Sequence, residues 1–409
     1  MLLLSNFFQR IIKIGRLTVI DHAGRTRVFE GAPGPAVTIR LHDAATARRI
    51  ALSPRLQIGE AYMDGRLTLE DTDLYEFLKF CVINASELER RAIMDIGYRF
   101  QILMRRIQQY NPVGRSRENV AHHYDLSGRL YELFLDGDRQ YSCAYFGTSS
   151  DTLDTAQENK KRHIAAKLLL KPGCKVLDIG SGWGGLALYL AKAGAGDVTG
   201  ITLSTEQHSA SIERAAAAGL SSRVRFQLRD YREQTGTFDR IVSVGMFEHV
   251  GVNHYGQFFG KIHDLLAEDG VALIHSIGRA DGPGMTNPWI RKYIFPGGYS
   301  PALSEVLPVV ERSGLFVTDI EILRLHYAET LREWRQRFNQ ARDQIRALYD
   351  ERFCRMWEFY LVGSELAFRY QGHMVFQMQL AKRVDAVPLT RDYIQEWERQ
   401  HVARGTLAA

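Results

Sequence analysis

The sequence predicts an α/β protein, with a doubly wound, largely parallel sheet following a smaller α+β domain. Three observations carry that expectation. After residue 119 short apolar runs alternate with helical stretches, the rhythm of strands buried on both faces. One of those runs ends in a glycine turn, 180–185, that opens a helix, as in a Rossmann-like sheet. The first hundred residues show neither feature and carry no motif of catalytic type.

The chain starts Met-Leu-Leu-Leu, but Asn6, Gln9 and Arg10 interrupt the apolar run before a secretory core or a spanning helix is complete. Residues 2–17 place Leu4, Phe7, Phe8, Ile11 and Ile12 at helical spacing, with Arg10, Lys13 and Arg16 among them. That pattern reads equally as an interfacial amphipathic helix and as a helix docked on its own domain. From 17 to about 80, β-like runs at 17–20 and 36–41 mix with helical stretches that include 74–82, so the smaller domain is placed at 1–100. Residues 86–118 are polar and rich in arginine (Arg90, Arg91, Arg99, Arg105, Arg106, Arg115, Arg117), and Pro112 and Gly114 mark a break. A linker is expected at 101–118, its arginines forming a solvated face or meeting phosphate headgroups.

The second domain, 119–409, contains six expected strands at 175–179, 197–203, 224–228, 240–244, 271–276 and 316–323. Between the last two lies 288–298, aromatic and glycine-rich, and then a helix near 303–313. Beyond 327, stretches 330–349 and 352–380 read as two helices whose aromatics form a lid over a pocket.

Composition narrows the class. The 409 residues are 45% hydrophobic and 24% charged, ordinary for a globular chain and too many for one small core. A net charge of +5 suits an anionic membrane surface and nucleic acid alike. Cys81, Cys143, Cys174 and Cys354 lie far apart without a CxxC pair, which speaks against a zinc site or a disulfide framework and for a reducing cytoplasm.

The glycine turn follows a buried strand in Val176-Leu177-Asp178-Ile179-Gly180-Ser181-Gly182-Trp183-Gly184-Gly185. Its spacing satisfies GxGxxG, so a nicotinamide dinucleotide has to be weighed. The next strand, however, ends Ile201-Thr202-Leu203-Ser204, with no acidic residue at its tip for a ribose, and Thr202, Ser204 and Gln207 offer short polar groups instead. After the third strand comes Arg229-Asp230-Tyr231, where a carboxylate can accept from an exocyclic amine and an aromatic ring can stack on a purine. Such a pocket suits one adenosine, and a sulfonium nucleoside fits it better than a dinucleotide.

Several peptides together resemble the cyclopropane fatty acid synthases and the related mycolic acid methyltransferases, over nearly the whole chain. They are 59–65 (GEAYMDG), 121–126 (AHHYDL), 140–146 (QYSCAYF), 177–185 (LDIGSGWGG), 238–250 (FDRIVSVGMFEHV) and 292–298 (KYIFPGG). The resemblance implies a class I methyltransferase sheet and S-adenosylmethionine as methyl donor. Tyr141, Ser142, Asp178, Gly180, Gly182, Trp183, Gly184, Thr202, Leu203, Ser204, Gln207, Asp230 and Tyr231 would hold it. It further implies a bicarbonate ion held by Glu248, His275, Tyr327 and the backbones of Cys143 and Ile277. The implied partner is a phospholipid bilayer with unsaturated acyl chains, approached from the cytoplasm at the inner face of the membrane by a homodimer, with no role for nucleic acid. No metal is implied.

The chemistry explains that residue set. An alkene is a feeble nucleophile, and methyl transfer to it leaves a carbocation that would capture water. The site must therefore be dry and lined with apolar and aromatic groups, where cation–π contact is worth about 1–2 kcal/mol per ring. Ring closure then needs a base for one proton, and bicarbonate can accept it without placing a strong nucleophile near the cation.

Each proposed ligand also has a plainer reading. Glu248 would be a structural ion pair, His275 a hydrogen-bonded core histidine, and Tyr327 core packing at a helix start with His326 its solvent-facing neighbour. Cys143 invites a nucleophile reading, yet transfer from a sulfonium requires no covalent intermediate, so it is assigned backbone contact. Some members of the resembled family carry a cysteine where Ser364 stands here, which leaves the role of Glu365 open. His122, His123 and Tyr124 read as part of a lid or as helix caps.

Overall fold

The computed structural model describes residues 2–92 and 127–405. The expected linker at 101–118 and the peptide 121–126 lie outside the described residues. The chain forms two compact units that interleave along the sequence, where the sequence reading drew contiguous boundaries. The first comprises Met1–Arg105, Met285–Pro296 and Leu331–Gly372, and the second Arg106–Gly284, Gly297–Thr330 and His373–Ala409. Association of distant stretches leaves no local signature, which is why 285–296 and 331–372 were not assigned to the first unit.

The first unit holds a four-stranded sheet of β1 (Ile14–Ile20), β2 (Thr26–Glu30), β3 (Ala32–Leu41) and β4 (Leu67–Glu70), in the order β2-β1-β3-β4. β1 pairs antiparallel with β2 and parallel with β3. The helix Leu2–Ile11 docks on its own domain. Leu4, Phe8 and the following Ile12 are buried in a core with Val19, Phe29, Ile39 and Phe77, and Leu3 is left 58% exposed. The apolar face is therefore already covered.

Two of the signpost peptides, far apart in sequence, meet in this unit. Gly59, on the helix Pro54–Met63, abuts Trp289, and any Cβ there would lie 2.5 Å from the indole ring. The next residue, Glu60, is buried and its Oε1 accepts from Lys292 Nζ at 2.6 Å and Tyr293 Oη at 2.8 Å. Glu365, whose role the sequence left open, is also buried here and accepts from Arg335 Nε at 3.1 Å and Arg369 Nε at 2.9 Å.

The second unit is built on a seven-stranded sheet in the order β10-β11-β9-β8-β5-β6-β7. Its strands are β5 (Lys175–Ile179), β6 (Asp197–Thr202), β7 (Val224–Leu228), β8 (Phe238–Val244), β9 (Leu266–Arg279), β10 (Phe316–Ile322) and β11 (His373–Ala381). All six expected strands are present. Neighbouring residues feed different cores: Leu177, Ile241 and Ile274 enter one apolar cluster, while Val176, Val242 and Leu273 enter the other. Burial on both faces explains the unbroken apolar runs in the sequence.

β11 departs from the sequence reading. The sequence reading extended one helix over 352–380, whereas the helix Glu351–Tyr370 ends at Gln371-Gly372 and the chain returns as a strand antiparallel to both β9 and β10. Met374, Phe376, Met378 and Leu380 fill one core, and Gln377 and Gln379 alternate with them, a period of two that the helix reading passed over because Met374, Val375 and Phe376 open the strand as an apolar run. Likewise the expected helix at 330–349 is two helices, His326–Gln340 and Arg342–Leu348.

Candidate active site

β5 delivers its chain into the glycine turn at the carboxyl end of the sheet, where open α/β sheets bind ligands. Gly180, Gly182 and Gly184 have φ of 83°, 53° and 83°, a region that favours glycine. A Cβ on Gly182 would point into open space, whereas one on Gly184 would strike Phe226 at 2.7 Å. Gly182 thus borders the cavity, and Gly184 permits close packing and caps the helix Gly185–Lys192.

A pocket opens there, lined by Tyr141, Ser142, Asp178, Gly180, Gly182, Trp183, Thr202, Leu203, Gln207, Asp230 and Tyr231. Ser204 does not line it but caps the helix Thr205–Ala217, its Oγ accepting from Gln207 N at 3.3 Å. Asp230 has both carboxylate oxygens engaged by Arg232, at 2.8 and 2.7 Å, and would use a remaining lone pair toward an amine. Tyr231 is buried with its ring edge-on to Phe258 at 5.3 Å, a core contact on one side of a pocket residue. The lining arises wholly from 139–250, so the late helices expected to roof a pocket contribute none of it.

Two pocket atoms are buried without a hydrogen-bond partner among the described residues, Asp178 Oδ2 and Ser181 Oγ. Burial pushes the Asp178 carboxyl up to about 7 against the pull of the Lys160 charge. Orphaned polar groups on an otherwise packed wall suit a ligand that carries its own charges, as the methionyl part of S-adenosylmethionine does.

The segment after β8 does double duty. Val244, Gly245, Met246, His249 and Val250 line the pocket, and Glu248 stands among them, 9% exposed. Glu248 Oε1 accepts the main-chain N–H of Ile277 at 2.7 Å, while Oε2 is buried with no partner among the described residues. Burial pushes this carboxyl up to about 7, with the Ile277 N–H pulling the other way. The Ile277 N–H, which the resemblance gives to an anion, is thus already spent on Glu248 and acts through it.

His275 lies two residues earlier on β9 and is 2% exposed. Its Nδ1 faces Gln377 Nε2 at 3.2 Å across the β9–β11 ladder, and its Nε2 has no partner among the described residues. Burial, then the charges of Lys160 and Lys167, hold the ring well below its ordinary pKa, so it is neutral. Cys143 is buried, its thiol is raised by desolvation, and its main-chain N–H meets no acceptor among the described residues.

The strap that carries Cys143 is pinned to the helix that carries Tyr327. Ala144 N donates to Thr330 Oγ1 at 3.0 Å, and Phe146 N donates to His326 Nδ1 at 3.0 Å. His326 is therefore half-buried and stacked on Tyr145 at 4.7 Å, not the solvent-facing neighbour expected. Tyr327 itself is 8% exposed.

Sequence reasoning missed Arg139, Gln140 and His249 as pocket residues, and Lys160 behind them. His249 lies next to Glu248, and burial lowers it to about 4. Arg139 takes a left-handed φ of 56° that nothing in its sequence announces, and its guanidinium lies 5.0 Å over Trp183. Lys160 sits in Gln157-Glu158-Asn159-Lys160-Lys161-Arg162, a run that reads as a solvated helix face, yet Gln157 and Lys160 are buried.

Comparison with known proteins agrees with this geometry. The model of the family described as mycolic acid cyclopropane synthetase matches residues 113–378. A probable fatty acid methyltransferase from Pseudomonas putida is 37% identical over 354 residues, 83% of this chain and 86% of that protein. The cyclopropane-fatty-acyl-phospholipid synthase of Escherichia coli K12 is 36% identical over 347 residues, 85% of this chain and 88% of that protein. Among solved structures, the mycolic acid cyclopropane synthase CmaA1 complexed with SAH and CTAB superposes with a TM-score of 0.62 at 33% identity, over 66% of this chain and 99% of that one.

Proposed function

Because the chain belongs to the mycolic acid cyclopropane synthetase family and is an S-adenosylmethionine-dependent methyltransferase, we propose that it methylates the cis double bond of an unsaturated phospholipid acyl chain and closes a cyclopropane ring. The observation that carries the proposal is Glu248: a buried carboxyl, on a segment that also lines the pocket, with one oxygen fixed by Ile277 and the other unclaimed.

S-adenosylmethionine would supply an electrophilic methyl. The residues of the chain do the rest. The pocket wall would orient the nucleoside, and the segment 244–250, in which Phe247, Glu248 and Val250 are buried, would help exclude water from the place where a cation forms. Glu248, with its carboxyl near neutrality, holds or releases a proton at Oε2, and neutral His275 presents Nε2. The main-chain N–H of Cys143, protonated Glu248 Oε2 and His275 Nε2–H would offer donors to a small oxyanion such as bicarbonate. Bound bicarbonate would offer a base for the proton lost on ring closure. In the balance the sulfur–methyl bond, the π bond and one C–H bond of the transferred methyl would break, two C–C bonds would form, and S-adenosylhomocysteine and one proton would leave.

No helix among the described residues is long and apolar enough to cross a membrane. Peripheral contact with the inner face, by a homodimer, belongs to the same proposal. The name of the Escherichia coli relative, a cyclopropane-fatty-acyl-phospholipid synthase, favours a cyclopropane, and the name of the Pseudomonas relative, a probable fatty acid methyltransferase, specifies no product and leaves a methyl branch or a methylene open. One experiment separates them: unsaturated phospholipid vesicles with labelled S-adenosylmethionine, followed by mass analysis of the acyl chains. Gain of one CH2 with loss of the double bond supports the cyclopropane; unlabelled acyl chains would sink the lipid reading.

A further inference from the structure

Lys160 is fully buried on the helix Leu153–Lys167, and its Nζ donates to two neutral oxygens, Gln140 Oε1 at 2.7 Å and Ser142 Oγ at 2.8 Å. No carboxylate lies within ion-pair distance of it among the described residues. Its neighbour Lys161, by contrast, is paired with Asp138 at 2.7 Å and Glu158 at 2.8 Å. A buried ammonium whose direct partners are neutral oxygens, with Asp136 and Asp138 acting on it only at longer range, is costly and favours an anion brought close to it.

Both of its partners line the pocket. Gln140 is fixed in orientation, because its Nε2 donates to Asp138 Oδ2 at 2.9 Å while its Oε1 accepts from Lys160. Ser142 Oγ, accepting from an ammonium, has its own hydroxyl hydrogen left to donate, and acceptance from a cation strengthens it as a donor. The backbone of this stretch is anchored from the same helix, Gln157 Nε2 donating to Ser142 O at 3.0 Å and to Gln140 O at 3.2 Å.

We propose that Lys160 is a positioning residue for the cofactor, holding Ser142 so that its hydroxyl meets the carboxylate of the methionyl group. The inference rests on the reading of the pocket as the S-adenosylmethionine site. Charge complementarity supports it, for the zwitterionic methionyl group would bring a carboxylate toward an ammonium whose direct partners are neutral oxygens and an ammonium to Asp178 Oδ2, which has no hydrogen-bond partner among the described residues. Lys160 itself stays behind the wall and touches neither the methyl nor the acyl chain.

The test compares two nucleosides by calorimetry. S-adenosylhomocysteine carries the carboxylate, and methylthioadenosine lacks it. Lys160→Met and Ser142→Ala should each weaken S-adenosylhomocysteine about 10- to 100-fold, the loss of a charge-assisted hydrogen bond, and leave methylthioadenosine within about 3-fold. Equal weakening of both nucleosides in Lys160→Met would mean that Lys160 only supports the fold, and undiminished S-adenosylhomocysteine affinity would equally overturn the proposal. Should Lys160→Met fail to fold, Ser142→Ala decides alone, by the same two readouts. Failure of the unmodified protein to bind either nucleoside would instead strike the cofactor reading.

Discussion

Glu248 and Ile277 are joined by a 2.7 Å hydrogen bond from the Ile277 main-chain N–H to Glu248 Oε1, which leaves the second carboxyl oxygen, Oε2, buried without a hydrogen-bond partner among the described residues. A carboxyl held this way exchanges a proton at one defined atom. Glu248→Gln keeps the acceptor for Ile277 but cannot exchange a proton. Turnover should fall by about 100-fold or more with S-adenosylhomocysteine affinity little changed. Near-normal turnover on unsaturated vesicles would remove Glu248 from the chemistry.

The same carboxyl leaves a mark on stability. Its pKa is raised on folding to about 7, so the folded state holds the extra proton. That contribution is complete below the unfolded pKa and is lost as pH rises toward 7, over an amplitude of about 3 kcal/mol for one such group. Glu248→Gln should therefore flatten the decline in unfolding free energy between about pH 4.5 and 7, leaving the slope due to Asp178. Denaturant titrations at several pH values check this, and an unchanged slope would refute it.

Much of this was legible in the sequence because of particular residues. Val176-Leu177-Asp178 announces a strand buried on both faces, and Gly180, Gly182 and Gly184 announce the turn, since φ of 53–83° suits little else. Glu248, His275 and the Cys143 strap could be singled out only as members of a resembling set. β11 opens on Met374, Val375 and Phe376, a buried run that fits a helix as well as a strand, and only the alternation of Gln377 and Gln379 with Met378 and Leu380 beyond it marks the strand. What hid Lys160 was its setting among Glu158, Asn159 and Arg162, where composition says solvent and only the fold says interior.

His163 offers a second titration, of opposite origin. It is 4% exposed, with Nδ1 facing Glu398 Oε1 and Nε2 facing Glu321 Oε2, each at 2.7 Å. Burial alone would lower its pKa, and the two carboxylate hydrogen bonds outweigh burial and raise it. A raised pKa means stability fully present below about 6.5 and lost as pH climbs through the folded value. His163→Gln should cost about 2–3 kcal/mol at pH 6 and distinctly less at alkaline pH. A penalty independent of pH would show that the ring stays neutral.

Gly59, in one signpost peptide, packs by shape against Trp289, just ahead of another. A methyl added at Gly59 would sit 2.5 Å from the indole, which is pinned by Met63 Sδ at 3.2 Å and Phe359 at 4.7 Å. Gly59→Ala should destabilise the first unit by about 1–3 kcal/mol through overpacking. Thermal unfolding followed by tryptophan fluorescence reads this out, and an unshifted midpoint would mean that the indole has room to move.

The N-terminal helix calls for a point substitution, not a deletion. Removing residues 1–16 would take Leu4, Phe8 and Ile12 out of a core, so lost vesicle binding would report unfolding. Leu3 is exposed and shares its helix with exposed Arg10. Leu3→Glu should weaken partition onto anionic vesicles without moving the melting temperature, whereas Phe8→Ala should destabilise by about 3–5 kcal/mol. Unchanged partition of Leu3→Glu would exclude this helix from the lipid contact.

Gln377 governs which nitrogen of His275 carries hydrogen. With Gln377 Nε2 donating to Nδ1 at 3.2 Å, the neutral ring keeps its hydrogen on Nε2, the nitrogen that meets no partner among the described residues. Gln377→Glu reverses the polarity: a buried carboxylate draws hydrogen to Nδ1 and favours the imidazolium. Gln377→Leu merely removes the preference. Turnover should therefore fall in the order unmodified, Leu, Glu, with the Glu variant about 100-fold down, S-adenosylhomocysteine affinity retained and the pH–rate profile displaced. Nitrogen NMR shifts of His275 report the tautomer directly. If the Leu and Glu variants lose activity equally while the tautomer stays put, Gln377 only fills space beside the ring.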